Sequence, residues 1–313
     1  VEWKKIIRFF RQEGVAAVVE PSSRRNGIGR VTYSGLEVPE ENSPGFVLAR
    51  ESWDMVARLV EKELEPVVRI ESRIEILEGA EGHNGLAESP GTDPEIGDQV
   101  VLLGGHLDAW PSGSGATDNA AGCAVSMEAV RILQAIGAQP RRTIRVALWD
   151  GEEYDYGGSL DYVKRHLADP RSMELKAGHA DHSVYFNLDS GGGRIRGIYL
   201  QGNELVRPIF QAWLEPFHYL GASTLTSKNT SETDHQVFDA VGLPGFTFIQ
   251  DPLAYDTVTH HSDQDVYSQL IEDDLKQAAV IMASFAYQAA MRDEILPRIS
   301  LPEPQEDNAQ VVE

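Results

Sequence analysis

A chain of 313 residues with 49 acidic against 27 basic side chains carries a formal charge of −22. That balance argues against nucleic acid or an anionic membrane as partner, since both are bound through a basic face, and solubility through self-repulsion accounts for it. An apolar fraction of 42% can fill one large core, or one plus a smaller neighbour, and the single cysteine, Cys123, rules out an internal disulfide and a thiolate metal cage.

The first zone runs from residue 1 to about 73. Its pattern predicts a helix from Trp3 to Gln12, a strand VAAVV (15–19), a loop, a strand GFVLA, a helix from Ser52 to Leu64 and a strand VVRIESRIEI. A loop rich in Gly, Glu and Pro follows, from Glu78 to Gly97. No chemical cluster lies in this zone, which reads as an accessory module. Val1 opens inside a helical pattern with no initiator Met, so the sequence is expected to be a fragment, and a missing leader carries no weight. No apolar run approaches the roughly 20 residues of a membrane span.

The second zone alternates strand and helix. VVLLGG ends at Gly105, a helix covers about 119 to 136, and TIRVALW (143–149) follows. A helix near 158–167, VYFNL (184–188), IYLQG and a helix near 203–219 come next. A helix near 234–241, FTFIQ (246–250) and a last helix from about 266 to 291 close the run. Short apolar strands alternating with amphipathic helices predict an α/β fold, a mixed and mostly parallel sheet with helices on both faces. Cys123 falls in an Ala-rich helical stretch, where a small buried residue is expected. The acidic, Pro-bearing tail, residues 293–313, is expected to be disordered.

The charged residues of interest sit where strands end. His106 and Asp108 follow VVLLGG, Glu152 and Glu153 follow TIRVALW, Asp189 follows VYFNL, and His260 and His261 come ten residues after FTFIQ. Ligands of open α/β sheets bind just outside the carboxyl ends of strands. Each residue also has a bland reading: Asp189 as turn chemistry, Asp118 as a helix N-cap, the glutamate pair as a solvated loop, His106 as a satisfied core histidine. The glutamate pair, however, follows a buried strand without a compensating Lys or Arg nearby, and like charges held close repel unless a cation or proton intervenes. Imidazoles and carboxylates without thiolates suit zinc, with manganese or cobalt as substitutes. Their number exceeds the need of one tetrahedral ion and suits two, roughly 3.5–4 Å apart, sharing a carboxylate.

Six motifs then carry a resemblance: GGHLDAW (104–110), GATDNAAG (115–122), LWDGEEYDYGGS (148–159), NLDSGGG (187–193), TDHQVFDAVGLP (233–244) and HHSDQD (260–265). In this order the chain resembles the family-28 metallopeptidases, co-catalytic zinc aminopeptidases and carboxypeptidases with a phosphorylase/hydrolase-like fold. The N-terminal zone resembles the later part of a protease-associated domain, which points to the carboxypeptidase Q-like branch. The implied domains are a partial protease-associated-like module (1–73), a catalytic domain (74–292) and the tail.

The resemblance implies that His106 and Asp189 bind one zinc, Glu153 and His261 the other, and that Asp118 bridges them. Glu152 would be the general base toward metal-bound water and then hand its proton to the leaving amine. Asp108 would orient His106. Many members carry Tyr before the last ligand histidine; here that position is His260, so its imidazole, or water, would take over stabilisation of the oxyanion. His261 is favoured over His260 as ligand because H-S-x-x-D (261–265) fits the family register. TDHQVFDAVGLP would shape the pocket floor, with Thr233 or Asp234 capping its helix.

The implied activity is hydrolysis of a peptide bond near a chain end of a small peptide or dipeptide, as aminopeptidase or dipeptidase-type carboxypeptidase. The alternatives are a binding protein on the same scaffold, which predicts substituted ligands, and an inactive truncated fragment. All five ligands and the base are present. Relatives are mostly exported, so periplasm, cell surface or extracellular space is expected, with the cytoplasm and a homodimer left open.

Overall fold

The structure, a computed structural model, describes residues 2–31, 44–73, 75, 77 and 79–304. Helix α1 (Glu2–Gln12) leads to strand β1 (Val18–Pro21), which pairs in parallel with β2 (Gly45–Leu48), and helix α2 (Arg50–Glu61) follows. The strand expected at 15–19 starts later because Val15 N still bonds back to Phe10 O at 3.0 Å, closing α1 through Gly14 in the left-handed region (φ 71°). The strand expected over VVRIESRIEI does not form in its described residues, and Val67 is 94% exposed. Alternation makes a strand only where a neighbour offers ladder partners.

The main sheet contains β3 (Gly85–Ser89), β4 (Val100–His106), β5 (Thr143–Trp149), β6 (His182–Asn187), β7 (Ile195–Tyr199), β8 (Thr224–Thr226) and β9 (Gly245–Gln250). Their spatial order is β3-β5-β4-β6-β9-β7-β8. Only β3–β5 and β9–β7 are antiparallel, so the sheet is mixed and mostly parallel, as the pattern predicts. Edge strand β3 falls inside the stretch expected to be loop. It buries neither face fully, so it lacks the apolar signal of the inner strands.

Helices α3 (Ala121–Ala135), α4 (Gly157–His166), α5 (Ala177–Asp181), α6 (Arg207–Leu214), α7 (His235–Asp239) and α8 (Glu272–Met291) complete the layers. Successive strand residues point to opposite faces. Val101, Leu103 and Phe186 therefore pack with Val125 of α3, Phe210 of α6 and Phe285 of α8. Leu102 and Tyr185 pack on the other face with Tyr162 of α4 and Phe238 of α7. Burial on both faces is why the inner strands read as unbroken apolar runs.

Two expected helices are shorter than their patterns. The stretch 203–219 divides into a tight turn, α6 and a second tight turn entered through Pro216, which lacks the N–H a continuing helix needs. The last helix begins at Glu272, after a separate turn at Tyr267–Gln269. Within the tail, residues 296–298 pack against the domain, while 299–301, 303 and 304 are exposed. Leu296 is buried, Asn203 Nδ2 donates to Pro297 O at 2.7 Å, and Arg298 Nη2 donates to the His179 and His182 carbonyls at 2.8 and 2.6 Å. Residues 305–313 lie outside the described residues. No helix among the described residues is long and apolar enough to cross a membrane.

Candidate metal centre

Strands β5, β4, β6 and β9 are mutually parallel neighbours, so their carboxyl ends share one edge. His106 is the last residue of β4, and the segments leaving β5, β6 and β9 deliver Glu152 and Glu153, Asp189, and His260 and His261. Asp118 arrives from the loop ahead of α3, where the Asp118–Asn119 peptide is cis. Gly122 lets that helix approach β6: a Cβ there would lie 2.1 Å from Leu188 O. Asn119 Nδ2 donates to the same carbonyl at 2.9 Å.

The structure brings all the sequence-singled residues together. His106 Nε2 lies 3.2 Å from Asp189 Oδ1, 3.3 Å from Asp118 Oδ1 and 3.9 Å from Glu152 Oε2. His261 Nε2 lies 3.1 Å from Glu153 Oε2 and 3.5 Å from Asp118 Oδ2. Donor atoms of His106, Asp118 and Glu153, of His106, Glu152 and Asp189, and of Asp118, His260 and His261 each converge within 4.8 Å. Asp118 Oδ2, Glu153 Oε1 and His261 Nδ1 are buried and lack hydrogen-bond partners. Orphaned acceptors among packed carboxylates are what a divalent cation would satisfy, and the donor set fits zinc.

The supporting bonds differ in part from expectation. His106 Nδ1 is 2.9 Å from the main-chain carbonyl of Asp108 and 3.5 Å from its carboxylate. That carboxylate accepts the amides of Glu152 (3.1 Å) and Glu153 (3.2 Å), tying the glutamate pair to the exit of β4. Asp118 makes no cap: its φ of −135° is non-helical, and α3 begins after it. Asp234 occupies the N-cap position of α7, but its side chain makes no cap bond there. Thr233 Oγ1 accepts from Asn187 Nδ2 at 2.7 Å, and the wholly buried Asp234 accepts from Ser159 Oγ at 2.5 Å. Cys123 is a small buried residue as expected, its Sγ 3.0 Å from His106 O and its thiol pushed up to about 12 by burial.

Charge crowding shifts the titrating groups. Burial, then the carboxylate of Asp189, hold Glu152 well above the usual carboxylate range. Burial also raises Glu153, against the pull of His261. Burial opposes a charged His106, yet Asp189 and the bonds to Asp108 and Asp118 hold it well above its ordinary value. Burial pushes Asp234 up to about 7. His260 falls to about 4 through burial and the neighbouring His261.

Three participants escaped the sequence reading. Tyr255 stacks on His260 (centroids 4.8 Å apart), and its phenol is held up by burial and the carboxylates of Asp118 and Asp189. Asp265 accepts the amides of Thr117 (2.7 Å) and Asp118 (3.1 Å). Its place in H-S-x-x-D was the available signal; for Tyr255, six residues ahead of His261, there was none. Arg30 forms an antiparallel bridge with Ser262, beside His261.

These observations fall within a known family. The chain belongs to Peptidase family M28, whose profile matches residues 84–286. It is 27% identical to carboxypeptidase Q of Pongo abelii over 269 residues, covering 85% of this chain and 54% of that protein. It is 31% identical over 167 residues to leupeptin-inactivating enzyme 1 of Streptomyces exfoliatus, covering 53% of this chain and 35% of that protein. The chain thus spans about half the length of carboxypeptidase Q, or less of such relatives. Its fold is shared with a peptidase M28 precursor from Shewanella amazonensis (TM-score 0.74, 23% identity, 96% of this chain and 65% of that one). It is shared too with a zinc aminopeptidase from Bacillus subtilis (TM-score 0.65, 19% identity, 93% and 68%).

Proposed function

We propose that the chain carries the catalytic domain of a zinc-dependent exopeptidase acting on small peptides. One relationship supports it above others: the two oxygens of Asp118 face different histidines, His106 and His261. On this reading His106 and Asp189 would hold one ion, Glu153 and His261 the other, with Asp118 serving both. Manganese or cobalt would substitute. When bound, the pair supplies Lewis acidity toward a carbonyl and eases the ionisation of water.

Glu152 accepts the proton of the attacking water and passes it to the leaving amine, and its burial raises its affinity for that proton. Asp108 is a positioning residue that aligns His106 and the amides of the glutamate pair. His260, kept neutral by burial, donates a ring N–H to the developing oxyanion, with Tyr255 stacked behind it. Residues 1–73 are read as the later part of a protease-associated-like module and 74–292 as the catalytic domain, and an exported location goes with the branch.

The test is metal analysis of the purified full-length protein beside turnover of free and amino-blocked dipeptides. About two zinc equivalents and cleavage are expected. Protein without zinc and without turnover on any of them would return the chain to the binding-protein class.

A further inference from the structure

The loop that leaves β4, from Trp110 to Ser114, lies tight against the loop that follows His261. Ser114 donates to Asp265 O from both its amide and its hydroxyl, at 2.8 and 3.0 Å. A Cβ on Gly113 would stand 2.6 Å from Ser262 O and 2.9 Å from Asp265 O, an approach that glycine alone permits. The same loop carries the indole of Trp110, whose ring centroid lies 5.4 Å from that of His261 and 5.7 Å from that of Tyr154. The series continues from His261 to His260 at 3.9 Å and from His260 to Tyr255 at 4.8 Å. Five rings thus succeed one another across the rim of the centre.

The two proposed histidine ligands are oriented by different means. Metal-bound imidazoles are usually aligned by an acceptor at the ring nitrogen that faces away from the ion. His106 has one in Asp108 O, 2.9 Å from its Nδ1. His261 turns Nε2 toward Glu153 and Asp118, and its buried Nδ1 has no partner among the described residues. Its backbone lies in the left-handed region (φ 57°), where a non-glycine residue persists only if its surroundings fix it. Val31 N holds that backbone by donating to His261 O at 2.9 Å, but the ring is held by aromatic packing. The indole N–H of Trp110 is itself buried without a hydrogen bond, so its ring is what this side chain contributes. Tyr154 directly follows Glu153, and Trp110 therefore touches both of the loops that deliver Glu153 and His261.

We propose that Trp110 is a positioning residue: packed on Tyr154 and His261, it sets the angle of the His261 imidazole and its approach to Glu153, and so governs affinity for the ion those two would hold. The proposal rests on the di-zinc reading and adds to it a ring stack in the place of the missing hydrogen bond. An imidazole that coordinates a cation gains positive character, which the negative face of an indole favours. Stacking and coordination then reinforce each other. His106 takes its orientation from Asp108, so the ion at His106 and Asp189 does not depend on Trp110.

The test is zinc titration of the full-length protein against a chelating dye, with the thermal midpoint of the metal-free protein measured alongside. His261→Ala identifies the ion concerned as the one it loses. Trp110→Leu is expected to weaken that ion about 3- to 30-fold, the range of a desolvated aromatic or cation–π contact, and to leave the other unchanged. Trp110→Phe, which keeps a ring, is expected to recover most of the affinity. Tyr154→Ala, at a position 54% exposed and undemanding for folding, is expected to weaken the same ion in the same direction. Selective weakening of one ion supports the proposal whatever the midpoint does. Both ions and the midpoint falling together would mark a structural role and overturn it. Loss of one ion in His261→Ala beside wild-type affinity in Trp110→Leu overturns the role of Trp110 alone. A wild type that binds no zinc, or His261→Ala that keeps both ions, overturns the ligand reading and this proposal with it.

Discussion

Asp265 Oδ2 accepts the main-chain amide of Asp118 at 3.1 Å, across 147 residues of sequence. Its other oxygen takes the amide of Thr117 at 2.7 Å and the Thr117 hydroxyl at 2.8 Å, so one carboxylate sets the backbone that aims Asp118. Asp265→Asn keeps the volume but replaces one acceptor with a donor facing donors. Zinc affinity is expected to fall about 10- to 100-fold, as for other residues that orient ligands. Competition against a chelating dye reads it, and unchanged affinity would remove Asp265 from the ligand-aiming role.

Glu152→Gln separates base from ligand. The amide keeps the shape and removes the proton acceptor, so kcat is expected to fall about 10²- to 10⁴-fold while zinc content stays at the wild-type level. Full turnover in this variant would assign the proton transfer to another group.

Chelation tests the proposed sharing of Asp118. Without bound metal, Asp118, Glu152 and Asp189 crowd His106 and Glu153 crowds His261, with Asp118 Oδ2 and Glu153 Oε1 unpartnered. Turnover is expected to vanish and to return on adding zinc. A ligand held at 1,000 times its Kd stabilises the fold by about 4 kcal/mol, and the thermal midpoint should drop accordingly. Asp118→Ala is expected to behave as the chelated wild type does; normal zinc content in that variant would count against a shared site.

His182 lies far from this chemistry and sets an acid limit on stability. It is buried against Phe238 (centroids 5.2 Å apart), and neither ring nitrogen has a partner. Burial lowers it from 6.5 to about 3. Between those values the unfolded chain binds a proton that the fold refuses. Its contribution is therefore complete above pH 6.5 and is lost as pH falls toward 3, by at most about 1.4 kcal/mol per pH unit. Urea unfolding at pH 7.5 and pH 5 should show a smaller loss for His182→Phe than for the wild type.

Much of this molecule is written locally. Val101 to Leu103 and Val184 to Phe186 read as buried strands because both faces of each are covered, and local composition records that demand. Histidines and acids placed just past such strands already point to one edge, and residues without thiolates already suit zinc. Partnership is another matter. That Asp118 turns one oxygen to His106 and the other to His261, that Asp265 holds its amide, and that Arg30 meets the His260–His261 loop depend on how distant segments close on one another. The same holds for VVRIESRIEI, whose alternation found no neighbouring strand, and for β3, which found one in β5 despite a weak pattern. Side-chain chemistry and periodicity are properties of short stretches, whereas a hydrogen bond or a shared ligand requires two stretches at once, and only the tertiary arrangement supplies the second.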